Sequence, residues 1–482
     1  MTRVLAIDQG TTATKTYTLD SEGHFEFCSS VEHEQIYPKS GWVEHNPETL
    51  LCNILDVISA TKDIDAIGID NQGETVIAWD SQSGIPVYNA IVWQDRRTTD
   101  FIEDLKSRGA ETLTLERAGL PLDPYFSASK LRWILKNIPQ AQKLLRKDRL
   151  RIGTSESFFI YRLTGEYATD VTTASRTSLM NLKTCSWDQE LCEIFEVPIP
   201  ILPEIRPTTA YYGSLKSDHR DIPITASVVD QQAALLGHSC YKAGQTKITF
   251  GTGVFALANT GHTIQSDHSS RILSTVAWQL AGEKPVYAAD AGVYNAGSAV
   301  NWVRNLGLFN DFTDIDNFKD SSALLRGLVF VPALSGLACP YWDRSAAGLW
   351  LGMSLETTKE DLCQAVLEGI ALRTAQVLDA IARLTGKVPR LSVDGGLINN
   401  SYFCQFLADL NQIDLVIPAS PDITTYGTGR FALIGAGAIN QPLALPEAEE
   451  PKAIISPRQD LSQLKEIFQE AVSRSQSWHR NL

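Results

Sequence analysis

The sequence has no excess of basic residues: its 42 Lys and Arg are outnumbered by 56 Asp and Glu, for a net charge of −14. Binding along a nucleic-acid backbone requires clustered positive charge, and so does attachment to anionic lipid through a basic patch. The acidic balance argues against both classes. A small anionic ligand remains compatible with it, because backbone N–H groups can bind phosphate without net positive charge.

The sequence also lacks a C-x-x-C pair among its eight cysteines, which excludes the common zinc and dithiol motifs. No apolar run approaches the roughly 20 residues that a membrane span requires. Residues 1–5 lead directly into a strand pattern, without the apolar core of a signal peptide. We therefore expect reduced cysteines and a cytoplasmic protein that does not insert into a membrane.

A chain of 482 residues with 44% hydrophobic residues is long enough for two or three globular domains. Two segments, residues 4–19 and 247–257, share one pattern, in which a polar glycine turn joins two short strands. The repeat predicts two α/β halves, with domains over 1–240 and 241–482. A glycine turn between strands differs from the Rossmann and P-loop arrangements, where the loop opens a helix. A nicotinamide oxidoreductase is therefore disfavoured.

Apolar periodicity and turn residues predict the individual elements. The predicted strands cover residues 4–7, 16–19, 66–69, 87–93, 247–250 and 254–257, with another ending at 393–396. The predicted helices cover residues 47–61, 98–108, 129–137, 155–163 and 361–382, with another starting at about Ser401.

The two glycine turns have the residue types of a phosphate-binding loop. In the first, Gly10 lets the backbone approach a phosphate, the Thr11 and Thr12 hydroxyls can donate to it, and Lys15 adds positive charge. Asp8, at a strand end, is suited to hold Mg²⁺ through water. A plain hairpin turn explains this segment about as well. The second turn offers the same devices, and Gly395-Gly396, at another strand end, could admit a base or a phosphate.

Several longer stretches then match one family together. They are Tyr88–Gln94, Tyr125–Asn137, Asp230–Leu235, Pro340–Asp343, Gly348–Met353 with Asp361–Glu368, and Val393–Gly396. On these residues the sequence resembles the FGGY carbohydrate kinases, and within them is most similar to the glycerol kinases. The resemblance implies two actin-like (ribonuclease H-like) α/β domains that flank an ATP/substrate cleft. It also implies phosphoryl transfer from ATP, with Mg²⁺, to a hydroxyl of a small polyol or sugar.

The resemblance assigns roles residue by residue. Asp230 matches the catalytic aspartate, which would accept the proton of the attacking hydroxyl; a helix cap is the alternative role for it. Asp8 and Asp230 match positions near Mg²⁺. The matching ATP-binding positions are Gly10, Thr11, Thr12, Lys15, Gly251, Thr252, Gly253, Gly297, Asn301, Gly396 and Asn400. Asn301 stands where glycerol kinases usually carry Gln, and both amides can form hydrogen bonds.

The acceptor pocket matches at all positions but one. The matching residues are Glu74, Trp93, Tyr125, Asp230, Gln231 and Phe255. Gly73 replaces an arginine, which removes a rigid multi-donor fork from beside the substrate hydroxyls and is expected to open space. Two alternatives follow: glycerol is held by fewer donors, or the vacated volume accepts a longer polyol or ketose whose extra hydroxyls replace them.

Three hypotheses follow. The first is a kinase for glycerol or a close polyol. The second is an FGGY kinase for a four- or five-carbon polyol or ketose, such as erythritol, xylitol or xylulose. The third is an actin-like ATP-binding protein without transfer activity, which would have no need for Asp230, Glu74 and Trp93 together. The resemblance allows a homodimer.

One loop concerns regulation. Some bacterial glycerol kinases bind fructose 1,6-bisphosphate through a glycine-rich loop ahead of the catalytic aspartate. The corresponding residues here, 216–221, have no glycine and include Asp218 and Asp221, which would repel a bisphosphate. We therefore expect no inhibition by this sugar phosphate, and we expect His219 to be a solvated loop residue.

Overall fold

The structure, a computed structural model, describes residues 1–217, 220–265, 272–318, 321–386, 388–439 and 450–478. Its strands are β1 (Arg3–Gln9), β2 (Ala13–Asp20), β3 (Phe25–Glu32), β4 (Glu44–His45), β5 (Ala66–Asn71), β6 (Val76–Asp80), β7 (Ala90–Ile91), β8 (Leu150–Thr154), β9 (Ala168–Asp170), β10 (Met180–Asn181), β11 (Ser186–Trp187), β12 (Glu204–Arg206), β13 (Ser214–Ser217), β14 (Arg220–Val229), β15 (Thr246–Phe250), β16 (Val254–Gly261), β17 (Leu273–Trp278), β18 (Val286–Val293), β19 (Val329–Val331), β20 (Leu349–Leu351), β21 (Leu391–Gly395), β22 (Leu415–Ile417) and β23 (Ala453–Ile455).

Its α-helices are α1 (Pro47–Ala60), α2 (Thr99–Ser107), α3 (Glu111–Arg117), α4 (Ser127–Asn137), α5 (Pro139–Leu145), α6 (Ser155–Thr164), α7 (Val171–Ala174), α8 (Gln189–Ile194), α9 (Asp230–Gly237), α10 (Gly297–Asn305), α11 (Lys359–Thr385), α12 (Ser401–Asn411), α13 (Ile423–Gly435) and α14 (Leu464–Ser475). Short 3₁₀ helices lie at Ile199–Ile201, Phe312–Ile315 and Gly396–Asn399.

Two large sheets repeat one topology. The first has the order β13-β14-β5-β1-β2-β3, and the second has the order β17-β18-β16-β15-β21-β22-β23. In each, a strand forms an antiparallel hairpin on one side and pairs with a parallel strand on the other: β1 with β2 and β5, and β15 with β16 and β21. The predicted two-half α/β architecture is confirmed.

Local sequence explains how the helices begin. Asn46 caps α1 by accepting hydrogen bonds from the N–H groups of Glu48 and Thr49, and Pro47 occupies the first turn. Both residues suit these positions, since the first N–H groups of a helix have no partner within it. The long helix α11 begins with a reciprocal cap between Thr358 and Asp361.

Helix α13 comes from the second half of the chain but packs on the first sheet. Its close approach depends on glycine: a Cβ on Gly68 of β5 would lie 2.9 Å from Ala432 Cβ, and one on Gly435 would lie 2.0 Å from the carbonyl oxygen of Thr225. Apolar residues of both halves thereby share one buried cluster. The domain boundary at 240 stays a prediction, since this core crosses it.

Most predicted elements are present, with ends displaced by a few residues. The strand predicted over 87–93 is wrong in extent: only Ala90–Ile91 is a strand, lying between β4 and β6. The side chains of Tyr88 and Asn89 turn to hydrogen-bond Glu44 instead. Asp218 and His219, in the predicted regulatory loop, lie outside the described residues. Within the described ranges, no helix combines the length and the hydropathy needed to cross a bilayer.

Candidate active site

Three carboxylates stand at neighbouring strand ends of the first sheet. Asp8 of β1 lies opposite Asp70 of the parallel strand β5. Asp230 follows β14, which runs parallel to β5 on its other side, and is the first residue of helix α9. Parallel strands end at one edge of a sheet, so these three side chains meet at the same edge.

At this edge of the first sheet, three carboxyl groups lie close together and away from water. Burial, with the charge of Asp422, raises the pKa of Asp8 to about 6. Burial, followed by repulsion from Asp8 and Glu74, raises the pKa of Asp230 to about 7. Burial, with repulsion from Asp8, holds the pKa of Asp70 well above its usual range. The edge therefore favours a bound cation.

Asp70 was missed by the sequence analysis. It is buried, its Oδ2 accepts a hydrogen bond from the Thr428 hydroxyl of α13, and its Oδ1 has no partner in the described part of the chain. The signal that was available is its position, at the end of a buried strand adjacent to the strand of Asp8.

The first glycine turn joins β1 to β2. Its backbone is closed by a 3.0 Å hydrogen bond from the Gly10 N–H to the carbonyl of Ala13. The Thr12 side chain is exposed, and Thr11 Oγ1 accepts a 3.1 Å hydrogen bond from Trp93 Nε1. Trp93, predicted to line the acceptor pocket, is thus hydrogen-bonded to the predicted phosphate loop.

Lys15 lies on the second strand of this hairpin, opposite Asp8. Its Nζ is 3.2 Å from Asp422, which also caps helix α13. The side chain remains about half exposed (46%), so its charge is still accessible to a ligand.

The second glycine turn joins β15 to β16 and supports the start of helix α10. The N–H of Gly297 donates to the carbonyl of Gly251 at 3.0 Å, and the N–H of Ser298 donates to that of Thr252 at 3.1 Å. A Cβ on Gly253 would lie 2.5 Å from the carbonyl oxygen of Val293, and one on Gly297 would lie 2.7 Å from that of Gly251. Glycine is required for this close packing, which brings an exposed turn and a helix N-terminus together.

The remaining predicted nucleotide positions differ in what they can offer. Asn301 is exposed on α10. Gly396 is also exposed, and apart from its chain neighbours no atom of the described residues lies within 4 Å of the place its Cβ would take. Asn400, in contrast, is buried: it caps α12 by accepting from the Phe403 N–H at 2.7 Å and donates to the carbonyl of Ile315 at 2.7 Å. Its role at a nucleotide stays a prediction.

Two of the three aromatic side chains predicted to line the acceptor pocket are in contact. The rings of Trp93 and Tyr125 meet edge to face, with 5.6 Å between their centroids, and both side chains are half-buried. Phe255, on β16 of the second half, is also half-buried and lies opposite Gly292 of β18. Partly exposed rings of this kind can pack against the carbon chain of a ligand.

Asp230 and Gln231 begin helix α9 beside that pocket. The Gln231 N–H donates to Asp230 Oδ1 at 2.6 Å, and its side-chain carbonyl accepts a hydrogen bond from the ammonium of Lys247. Lys247 is buried on β15, and burial lowers its pKa. The sequence analysis missed this lysine, which connects the second half of the chain to the pocket.

Glu74 lies next to an arginine that sequence reasoning did not single out. Arg176 Nε is 2.7 Å from Glu74 Oε1, and Arg176 Nη1 is 2.7 Å from Asp290 Oδ2 on β18. All three side chains are largely buried. The guanidinium therefore connects Glu74, the carboxylate predicted to bind the acceptor, to the second half of the chain.

The expected open volume at Gly73 is not present. A Cβ at this position would lie 2.9 Å from Val229 Cγ1, 3.2 Å from Val229 Cγ2 and 3.7 Å from Arg176 Cγ. The expectation of vacated space was wrong because the β-branched side chain at the end of β14 fills it. At the Cβ position, the absence of a side chain on residue 73 therefore leaves no free space.

The carboxylate edge suits Mg²⁺ only as part of a larger complex. No three His, Cys, Asp or Glu side chains of the described residues are placed to hold a metal ion by themselves. Asp8 and Asp230 nevertheless supply hard oxygen donors, and their raised pKa values show the need for positive charge. Mg²⁺ commonly uses one or two carboxylates and fills its other positions with waters and substrate phosphates. The residues thus fit an ion that arrives with a nucleotide.

Comparison with known proteins agrees with this geometry. The N-terminal domain model of the FGGY family of carbohydrate kinases matches residues 3–237, and the C-terminal domain model matches residues 246–436. Glycerol kinases of Koribacter versatilis and Mycoplasma pneumoniae are 38% and 37% identical, each over 98% of this chain and 98% of the relative. The crystal structure of Plasmodium falciparum glycerol kinase with ADP superposes with a TM-score of 0.91 at 31% identity, covering 98% of both chains.

Proposed function

Since the chain belongs to the FGGY family of carbohydrate kinases and is therefore an ATP-dependent kinase, we propose that its acceptor is glycerol. The reaction is the transfer of the γ-phosphoryl group of ATP to a terminal hydroxyl, which yields glycerol 3-phosphate and ADP. The oxygen–phosphorus bond to the acceptor forms as the β–γ bridging bond breaks, and the hydroxyl proton is released.

The observation that carries the proposal is Asp230, beside Glu74 and at the same sheet edge as Asp8. Its pKa of about 7 is suited to a general base at neutral pH, because such a group is ionised often enough and still basic enough to accept a proton. Asp230 would hold the attacking hydroxyl and accept its proton. The half-buried rings of Trp93 and Tyr125 would hold the acceptor's carbon chain.

The two glycine turns would hold the nucleotide's phosphates from opposite halves of the molecule. The N–H groups and hydroxyls around Thr11, Thr12 and Thr252 are donors without net charge, and Lys15 supplies one positive charge. Asp8 and Asp230 would hold Mg²⁺ through water. When bound, the ion supplies the positive charge that neutralises the phosphates and these carboxylates.

The packing at Gly73 supports a short acceptor over a longer one. Val229 and Arg176 occupy the space next to this residue, so the missing arginine does not leave an opening at the Cβ position for the extra carbons of a pentitol or ketose. Two relatives that are 38% and 37% identical to this chain are glycerol kinases, which supports the same choice. An ATP-binding protein without transfer would have no use for the Glu74–Arg176 pair beside Asp230.

ADP release from Mg-ATP tests the proposal, measured with glycerol, erythritol, threitol, xylitol, ribitol, xylulose and ribulose. We expect the highest kcat/KM with glycerol. A tenfold preference for a longer acceptor, about 1.4 kcal/mol in transition-state binding, would instead identify a redirected pocket. The absence of acceptor-dependent ADP release with all seven compounds would support an ATP-binding protein without transfer.

A further inference from the structure

We propose that Arg176 supplies the guanidinium donors that hold the acceptor's non-reacting hydroxyls, in place of an arginine at position 73. The inference rests on the proposed kinase function and names the residue that gives its acceptor site specificity. Arg176 is 102 residues from Glu74 in sequence, and no local motif joins the two.

The guanidinium is held in a fixed orientation. Its Nε donates a hydrogen bond to Glu74 Oε1 and its Nη1 donates one to Asp290 Oδ2, both at 2.7 Å. The guanidinium carbon lies 5.8 Å from the ring centroid of Tyr125 and 5.5 Å from that of Phe126. Two carboxylates and two rings thus set the plane of the group before any ligand arrives, so little conformational freedom is lost on binding.

Two polar atoms of this cluster remain available. Among the described residues, Arg176 Nη2 donates no hydrogen bond and Glu74 Oε2 accepts none, and neither atom is one of the fully enclosed polar atoms that lack a partner. Both atoms therefore remain accessible to solvent. One is a donor and the other an acceptor.

A donor and an acceptor side by side match the chemistry of an alcohol. A hydroxyl can accept from the Nη2 N–H and donate its own proton to Glu74 Oε2, which satisfies both of its hydrogen-bonding functions. An analogue without that hydroxyl leaves a charged donor and a charged acceptor unpaired, so it is rejected strongly. Arg176 is therefore assigned to acceptor discrimination, and not to ATP binding.

The experiment compares glycerol with propane-1,2-diol and propane-1,3-diol, each of which lacks one hydroxyl. Arg176→Lys keeps the charge and removes the planar fork. We expect its KM for glycerol to rise by about 10- to 100-fold, its preference for glycerol over the diols to shrink by a similar factor, and its KM for ATP to stay within about twofold.

Arg97→Lys is the matched control. Arg97 is also buried and also bridges two carboxylates, Glu44 and Asp95, but it lies outside the proposed acceptor cluster. We expect this variant to lose thermal stability while it keeps the natural discrimination between glycerol and the diols. Equal loss of discrimination in both variants would overturn the proposal.

A second variant covers the case in which Arg176→Lys does not fold. Asp290→Asn leaves the Arg176–Glu74 bond in place but weakens the second contact that orients the guanidinium. We expect a smaller rise in the KM for glycerol, with the KM for ATP again unchanged. A rise in both KM values, or in neither, would contradict a role for the cluster in acceptor recognition.

The outcome separates this inference from the proposed function. If the natural protein uses another acceptor, the same variants are measured with that acceptor and its deoxy analogues. Loss of discrimination in Arg176→Lys then supports the role of Arg176 in acceptor recognition, while glycerol is rejected as the substrate. If glycerol is turned over and Arg176→Lys does not change its kinetics, the role of Arg176 is rejected and glycerol remains the proposed acceptor. No turnover with any acceptor rejects both.

Discussion

Gly73 and Val229 compete for one space: a Cβ on Gly73 would lie 2.9 Å from Val229 Cγ1. A side chain at either position therefore restricts the other. The glycine, read from the sequence as an opening in the pocket, is instead the partner of a valine that closes it. We therefore expect the specificity of the proposed site to depend on both residues and not on position 73 alone.

The pair predicts the result of adding the missing arginine. Gly73→Arg by itself should lower both the melting temperature and kcat/KM for glycerol, because the new side chain must displace Val229 and crowd Arg176. Gly73→Arg with Val229→Gly should recover much of both losses. Steady-state kinetics and thermal unfolding of the two variants, with Val229→Gly alone as the control, provide the test. Full activity in the single variant Gly73→Arg would show that the space is not limiting.

The carboxylate of Asp230 should be essential for transfer. Asp230→Asn keeps the size of the side chain and its bond to the Gln231 N–H but removes the base. We expect kcat to fall by about 10²- to 10⁴-fold, with ATP affinity nearly unchanged when measured by calorimetry. Asp56→Asn, an exposed substitution on α1, is the matched control. Near-normal turnover of Asp230→Asn would defeat the assignment.

The pKa of Asp230 also predicts the pH dependence of the reaction. The base acts in its ionised form, so kcat/KM for Mg-ATP, which reports the enzyme before the ion and the nucleotide bind, should decline as the pH falls below about 7. The slope should approach tenfold per pH unit. Asp230→Asn should show no such limb in its residual rate. A profile that is flat from pH 5 to pH 8 in the natural enzyme would contradict a base with this pKa.

The same shift predicts a gain in stability when the base is lost. The pKa of this carboxyl is about 7 in the folded chain and about 4 in an unfolded chain. Between these two pH values the unfolded chain loses its proton more readily, so the free energy of unfolding falls as the pH rises. Without ligands, Asp230→Asn should therefore melt at a higher temperature than the natural protein at pH 8. The difference should vanish near pH 3.5, where both side chains are neutral. If Asp230→Asn and the natural protein melt at the same temperature at pH 8, the ionised Asp230 does not destabilise the fold and the expectation is wrong.

The nucleotide site can be examined at two glycines with opposite surroundings. Gly396→Ala adds a methyl group where, its chain neighbours apart, no atom of the described residues lies within 4 Å, so the melting temperature should be unchanged. If a nucleotide occupies that space, the KM for ATP should rise. Gly253→Ala places a methyl group 2.5 Å from the Val293 carbonyl and should destabilise the protein. Differential scanning fluorimetry with and without ATP distinguishes the two. An unchanged KM for ATP in Gly396→Ala would remove that glycine from the proposed site.

The residues that could be predicted were those with a local signature. The strand–turn–strand units around Gly10 and Gly251–Gly253, the capped helix after Asn46, and the strand-end position of Asp230 all follow from short-range patterns. The family resemblance then suggested the roles proposed for Glu74, Trp93 and Tyr125, which spacing alone does not provide.

The residues that could not be predicted act through contacts between distant segments. Arg176 meets Asp290 across 114 residues, and Thr428 meets Asp70 across 358. Val229 occupies the place beside Gly73 only because parallel pairing brings β14 next to β5. None of these pairs has a repeat or a motif, so each becomes visible only after the sheets have been assembled.

Helix α13 has a consequence for how the molecule is made. The face of the first sheet that contains Gly68 is covered by residues near Ala432, which leave the ribosome after some 360 further residues have been synthesised. That face of the nascent sheet is therefore exposed through most of translation. A fragment that stops at residue 240 would keep it exposed permanently and would be prone to self-association. The N-terminal half is thus a unit of sequence, while the packing of its sheet is completed only by residues of the second half.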